Sequence, residues 1–159
     1  MGSGLIVAGT GHRPEDCEDE QAVRIKSRVK LQYTDKTIDA FITGMAAGFD
    51  LWAADEIERE LGIPLIAAVP WKGHTARKED EELYADILTR AQEIVYVNDS
   101  EQYPGPWVYQ DRNEYMVDRA DLVMAYLNPH KNKGGTYNCV TYAKKVGKPV
   151  ANVWYDPPF

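Results

Sequence analysis

The sequence predicts an α/β fold: a doubly wound, three-layer arrangement with helices on both faces of a mainly parallel sheet. Short, continuously apolar runs bounded by turn residues read as strands buried on both faces. Longer segments with apolar residues at helical spacing lie between them, and right-handed crossovers then place helices on each side. The length of 159 residues suits a single domain over 1–159, and no internal repeat, low-complexity tract or interdomain linker interrupts it.

Leu5-Ile6-Val7-Ala8 is the first strand, and 18–30 a helix in which Val23, Ile25 and Val29 stand among polar residues. IDAFIT at 38–43 is the second strand. A helix over 50–61 follows, with Asp50 as its N-cap and Gly62 as its stop. A carboxylate there can hold the first amides, and glycine accepts a left-handed ending. IPLIAAV at 63–69 is the third strand, 78–91 a helix with a charged face, and EIVYV at 93–97 the fourth strand. After a loop with Pro104, Gly105 and Pro106, a helix covers 109–119. DLVMAYL at 121–127, a helix over 135–146 and a strand over 149–154 complete the order.

Composition narrows the function. A net charge of −7 argues against nucleic acid as a main partner, because duplex binders carry a basic face. Cys17 and Cys139 are the only cysteines. They cannot build a disulfide framework or a four-ligand zinc site, and a reducing cytoplasm fits them. His12, His74 and His130 are scattered, so no metal is expected. No apolar stretch approaches the ~20 residues of a membrane span, and no basic-then-apolar leader opens the sequence. Gly2-Ser3-Gly4 carries no functional reading.

Sheets of this kind bind ligands at the carboxyl ends of their strands, near a topological switch point. The informative residues therefore follow each strand. They are Gly9 to Pro14 after the first, Gly44 to Asp50 after the second, Pro70-Trp71-Lys72 after the third and Asn128 to Thr136 after the fifth. Gly9-Thr10-Gly11 can bring amides close to an anion, or simply turn the chain. It lacks the third glycine of a dinucleotide fingerprint. Arg13 adds a guanidinium suited to phosphate or carboxylate. His12 can bond a ligand or a backbone group. Gly44 and Gly48 frame a small-residue loop at a helix start, which suits anions or close packing. Asp50 there would repel an anion, and reads as a cap or as an acceptor for ribose hydroxyls.

Gly134-Gly135-Thr136, preceded by Lys131 and Lys133, offers amides, a hydroxyl and a helix N-terminus for a phosphate, or a flexible loop with solvated lysines. Arg112 and Asn113 stand where they can reach a phosphate or ribose, or serve an ordinary surface helix. Trp71 can stack on a base. The aromatic loop from Tyr103 to Tyr109 can cover a ligand, or join Trp71 in a surface for homo-oligomerisation.

Together, GTGHRP, TGMAAGFDLWAAD, YQDRNEYMVDRADLVMAYL, KGGT and TYAKKVGKP resemble the SLOG superfamily. That group includes the Lonely guy phosphoribohydrolases, the DprA/Smf proteins and the YpsA-like proteins, and the likeness points to the YpsA-like branch. The resemblance covers nearly the whole sequence. It implies a Rossmann-like fold and a site for a nucleotide or nucleotide-derived ligand, of the nucleoside phosphate or ADP-ribose/NAD type, with no further cofactor. Carried over by position, Gly9, Thr10, Gly11, Arg13, Gly44, Gly48, Asp50, Arg112, Asn113, Gly134, Gly135 and Thr136 would line it.

One departure bears on chemistry. The phosphoribohydrolases resemble PGGxGTxxE, and the matching stretch here places Cys139, not glutamate, three residues after Thr136. Glycosidic cleavage needs a carboxylate, for which Asp50, Asp111, Glu114 and Asp118 are the candidates. Two readings follow: a binding module that senses or sequesters a nucleotide, and a nucleotide N-glycosidase. A single-strand binder of the DprA kind would need a basic, aromatic-lined groove. Cys139 reads as a small core residue.

Overall fold

The computed structural model describes residues 4–34 and 36–155; Gly2 and Ser3 lie outside the described residues. Six strands form one sheet: β1 (Leu5–Gly11), β2 (Ile38–Thr43), β3 (Leu65–Val69), β4 (Glu93–Tyr96), β5 (Leu122–Tyr126) and β6 (Val150–Asn152). Their spatial order is β4-β3-β2-β1-β5-β6, and every pairing is parallel. The helices are α1 (Glu20–Gln32), α2 (Phe49–Leu61), α3 (Glu81–Arg90), α4 (Trp107–Arg119) and α5 (Gly135–Lys145).

The layers follow from strand alternation. Val7, Phe41 and Leu65 face one way and pack with Val23 of α1, Ile57 of α2 and Ile87 of α3. Their neighbours Ala8, Ile42 and Ile66 face the other way, against Met116 of α4. Val123 continues that second face against Cys139 and Ala143 of α5. Phe41, Ile42, Leu65 and Ile57 are fully buried, and each such side chain contributes about 1.5–3 kcal/mol relative to exposure. The chain steps outward from β1 to β4 and then returns through α4 to β5 on the other side of β1. Right-handed crossovers put α1–α3 on one face and α4–α5 on the other. The switch point, where a crevice must open, lies between β1 and β5.

The first strand does not end at Ala8. It continues through Gly9-Thr10-Gly11, which pair with Met124, Ala125 and Tyr126 of β5. These glycines do not make a turn. A Cβ on Gly9 would fall 2.3 Å from the Phe41 ring, and one on Gly11 2.3 Å from Phe49. They leave room for two core aromatics.

Asp50 is not a cap either. Helix α2 starts one residue earlier, at Phe49, with Gly48 as N-cap at φ 88°. Gly62 ends the helix at φ 66°, as its sequence position implies. Helix α1 begins at Glu20 because the Asp19 side chain accepts from the Gln21 and Ala22 amides.

Candidate functional site

The carboxyl ends of β1 and β5 open on a cleft of about 360 Å³. Strand β1 and the turn after it supply Thr10, Gly11, His12, Arg13 and Asp16. Ala46 comes from the loop before α2, Asp50 from its first turn, and Tyr109, Arg112 and Asn113 from α4. The fifth-strand loop and α5 supply Lys131, Lys133, Gly134, Gly135 and Thr136.

Helix α5 presents an open N-terminus to this cleft. Gly134 is its N-cap at φ 100°, with no side-chain cap and no acidic residue in the first turn. The helical ladder begins with Asn138 N–H to the Gly134 carbonyl at 2.9 Å. The amides of Gly135, Thr136 and Tyr137 precede it and have no helical acceptor. A Cβ added at Gly134 or Gly135 would meet nothing within 4 Å. Partial positive charge thus gathers at a mouth with space in front of it. Lys131 pairs with Asp16 at 3.1 Å. Arg13 and Lys133 are exposed, and neither forms an ion pair among the described residues.

Two buried ionisable side chains stand opposite, each bonded to its own neighbours. Arg112, only 8% exposed, donates from Nη1 to the Gly44 carbonyl and from Nε to Asn113 Oδ1 at 3.2 Å. Asp50, 6% exposed, accepts from the Ala46 amide through Oδ2 at 3.2 Å. Its Oδ1 has no hydrogen-bond partner among the described residues, and the Gly11 backbone helps to lower the carboxyl's pKa. Burial pushes the Asp50 carboxyl up to about 6, with Arg112 pulling the other way. Gly44 is the spacer: a Cβ there would lie 2.9 Å from Asp50 Oδ2 and 3.0 Å from Arg112 Cζ. The loop that carries this spacer is strained. Met45 sits at φ 63°, a region that disfavours L residues by about 1–2 kcal/mol. Thr43 Oγ1 holds it there, accepting from the Met45 amide at 3.3 Å and donating to the Asp50 carbonyl at 3.0 Å.

Two of the expected cleft residues are scaffold in their polar atoms. His12 Nε2 accepts from the Asn128 amide at 2.9 Å, which ties the end of β1 to the segment after β5. Burial lowers its pKa, with Lys131 adding to the effect. Asn113 Nδ2 donates to the Gly135 carbonyl at 3.2 Å and to Gln110 at 3.3 Å, so it positions the start of α5. Gly9, Gly44 and Gly48 are packing glycines behind the cleft wall rather than its lining. A Cβ on Gly48 would come 2.6 Å from the His12 carbonyl.

Four expected residues lie outside the cleft. Trp71 does not reach the cleft. The loop after β3 is tied to the loop after β4, through Lys72 N–H to Asn98 and Gly73 N–H to Ser100, and β3 lies two strands from the switch point. Trp71 instead packs edge-on against Tyr103 at 5.8 Å. Tyr103 in turn packs against Tyr109 at 6.3 Å, and Tyr109 is the aromatic that lines the cleft. Glu114 and Asp118 also lie elsewhere, because α4 turns 112 and 113 inward and carries 114 and 118 toward α5. Glu114 accepts from Gln110 at 3.2 Å, and Asp118 from the Tyr142 hydroxyl at 2.7 Å. Asp111 is exposed outside the lining. Cys139 is buried, with its thiol pushed up to about 11, far from a nucleophile's range.

A smaller lobe of about 70 Å³ adjoins the cleft and shares Arg13, Ala46, Tyr109 and Arg112 with it. His74, Thr75, Ala76 and Arg77 close it. Sequence reading missed these residues; their only signal was position after the third strand. Among the described residues, no group of three His, Cys, Asp or Glu side chains comes together to hold a metal ion. No helix among them is long and apolar enough to cross a membrane.

Comparison with known proteins places this geometry in a group. In solved structures, the chain matches DNA processing protein A from Helicobacter pylori, described by its single-stranded DNA binding mode, with a TM-score of 0.69 at 18% identity. The match covers 92% of this chain and 64% of that one. DprA from Streptococcus pneumoniae gives 0.62 at 17% identity, over 91% of this chain and 49% of that one. The molybdenum cofactor carrier protein from Chlamydomonas reinhardtii gives 0.55 at 16%, over 92% and 74%. At such identities the likeness shows the fold alone, and the chain spans about half of the Streptococcus protein.

In sequence, the SPbeta prophage-derived protein YoqJ of Bacillus subtilis is 34% identical over 120 residues, 66% of this chain and 69% of that protein. YpsA of Bacillus subtilis is 20% identical over 154 residues, 88% and 85% of the two. The model of the YspA SLOG family matches residues 10–154. The resemblance read from GTGHRP, GFDLWAAD and KGGT is therefore one of descent, and the chain belongs to the YspA SLOG family.

Proposed function

We propose that the cleft binds a nucleotide or nucleotide-derived ligand, a nucleoside phosphate or a molecule of the ADP-ribose/NAD type, and that the protein senses or sequesters it. One observation carries this reading: the unfilled N-terminus of α5 opens into the same cleft as Arg13 and Arg112. A phosphate there would take the Gly135, Thr136 and Tyr137 amides, with Arg13 and Lys133 at its edge. A hydrogen bond to a charged group contributes about 1.5–3 kcal/mol, so several must act together to offset the freedom lost on association. Asp50 Oδ1, buried and without a partner, would accept from a ribose hydroxyl. No cofactor enters this reading, and the ligand class suits a cytoplasmic protein.

Isothermal titration against nucleoside phosphates, ADP-ribose and NAD tests it. Saturable heat that disappears on Arg112→Ala is the expected result, and no binding to any of them at millimolar concentration overturns it. Single-strand binding, named for the Helicobacter relative, has less support here. The net charge is −7, and the cleft is compact rather than a long basic groove.

A second reading rests on Asp50. Of the carboxylates weighed for glycosidic cleavage, it alone lies in the cleft, and its raised pKa suits a general acid. Nucleoside 5′-monophosphates incubated with the protein and resolved by chromatography separate the readings. Free base that disappears on Asp50→Asn favours the enzyme; intact nucleotide favours the binding module.

A further inference from the structure

The Asn128 amide donates to His12 Nε2 at 2.9 Å, and that bond depends on where the ring holds its protons. A backbone amide can only donate, so Nε2 is bare, and a neutral imidazole carries its proton on Nδ1. An imidazolium is a donor at both nitrogens. Nε2–H would then face N–H, and the Asn128 bond is lost. Little else holds that loop. Among the described residues, two hydrogen bonds join 128–134 to the turn after β1: this one, and Lys131 Nζ to Asp16 at 3.1 Å. The second faces solvent, and such pairs hold weakly.

Burial and then Lys131 oppose the second proton, with Asp16 acting the other way. Tyr126 of β5 and Trp154 beyond β6 stand edge-on to the ring at 6.1 and 6.4 Å. Neither is charged, and the Tyr126 hydroxyl donates to Glu18 at 3.0 Å. From α2, the Phe49 amide bonds only the His12 carbonyl. The remaining charges of the cleft that His12 lines are Arg13, Asp50, Arg112 and Lys133. An anion bound among them shifts the balance, because a negative charge nearby favours the imidazolium.

We propose that His12 is a proton-operated latch that couples occupancy of the cleft to the loop before α5. A bound anion favours the imidazolium, and the imidazolium releases Asn128 and the wall that carries Lys131 and Lys133. The trigger rests on the reading above, in which the cleft takes an anion; the latch itself does not. Coupling of this kind is reciprocal, so the proton also tightens the anion. It gives a binding module a way to report what it holds.

Nitrogen-15 NMR across pH 4–8 tests it, following the His12 ring and the Asn128 amide together. Sulfate, which does not titrate in this range, is the anion. Without it, the Asn128 resonance is expected to move at the same midpoint at which His12 takes its second proton. Saturating sulfate should carry both midpoints toward neutral pH. His12→Gln keeps an acceptor for Asn128 and has nothing to titrate, so its Asn128 resonance should stay still under both conditions. Calorimetry gives the reciprocal effect. The tightening of sulfate between pH 8 and 4 should be about tenfold smaller in His12→Gln than in the unaltered chain, what remains belonging to Asp50. An Asn128 resonance that ignores the His12 titration, or moves equally in His12→Gln, overturns the latch. If the latch responds to pH but sulfate does not bind, the anion reading falls and takes the coupling with it. If sulfate binds and leaves the His12 midpoint in place, the coupling alone is overturned. Should His12→Gln fail to fold, coincidence of the two midpoints in the unaltered chain decides.

Discussion

Helices α2 and α5 both begin at a glycine of positive φ, at the same edge of the sheet, and their surroundings are opposite. Before α2, Gly48 at φ 88° is pressed against backbone: a Cβ would lie 2.6 Å from the His12 carbonyl and 2.8 Å from Pro14 N. The Phe49 amide donates to that same carbonyl at 3.1 Å. The helix also carries its own anion, Asp50, in the first turn. Before α5, Gly134 at φ 100° has no atom within 4 Å of where a Cβ would be, and the first turn holds no acid. The field at a helix start is a property of the backbone. What differs is whether the fold fills the space in front of it. In α2 it is filled, and the glycine is a joint. In α5 it is empty, and the glycine is a mouth.

The largest expected effect breaks the joint. Gly48→Ala combines a strained φ with a contact against rigid backbone. It should lower stability by about 3 kcal/mol in urea unfolding. A loss under about 1 kcal/mol would mean that the α2 junction is looser than its packing implies.

Asp50 sharpens the comparison through pH. Its folded pKa of about 6 lies above the ordinary unfolded value of about 3.9. The folded state therefore holds this proton more tightly, so this group's contribution to stability declines as pH rises from about 4 through about 6, and is level above. Asp50→Asn should remove that slope and leave the protein more stable at pH 7, by on the order of 2 kcal/mol. Sulfate, which does not titrate in this range, should bind the unaltered chain more tightly below pH 6, where Asp50 is neutral. Chemical unfolding and sulfate titration across pH 4–8 check both.

The same contrast shows what the sequence could carry. Apolar runs such as LIVA and LIAAV are local signals, and they were enough for strands, layering and the shared edge. The convergence of Arg13, Arg112 and Thr136 in one cleft followed from topology alone. The roles of Gly9 and Gly11 were hidden, because the rings they clear, Phe41 and Phe49, lie some thirty or more residues away in the chain. Glu114 and Asp118 could not be placed from spacing, since a helix shows its period but not which side meets the sheet. Trp71 was misplaced for a similar reason: loop-to-loop hydrogen bonds hold it away from the cleft, whereas Tyr109, at the end of the aromatic loop expected to cover a ligand, lines it.

The smallest expected effects on stability belong to the mouth, and there binding should change instead. Gly135 has no positive φ and nothing within 4 Å of a Cβ. Gly135→Ala should therefore leave stability within about 0.5 kcal/mol, or raise it slightly through helix propensity. The added methyl group stands in the space assigned to phosphate, so ribose 5-phosphate affinity should fall roughly tenfold, about 1.4 kcal/mol. Arg13→Ala, at an exposed side chain without an ion pair among the described residues, should show the same separation with a lesser loss of affinity. Unfolding and calorimetry on the same preparations make the test. If Gly135→Ala bound as the unaltered chain does, the emptiness before α5 would be ordinary surface, and the distinction between the two helix starts would be one of packing alone.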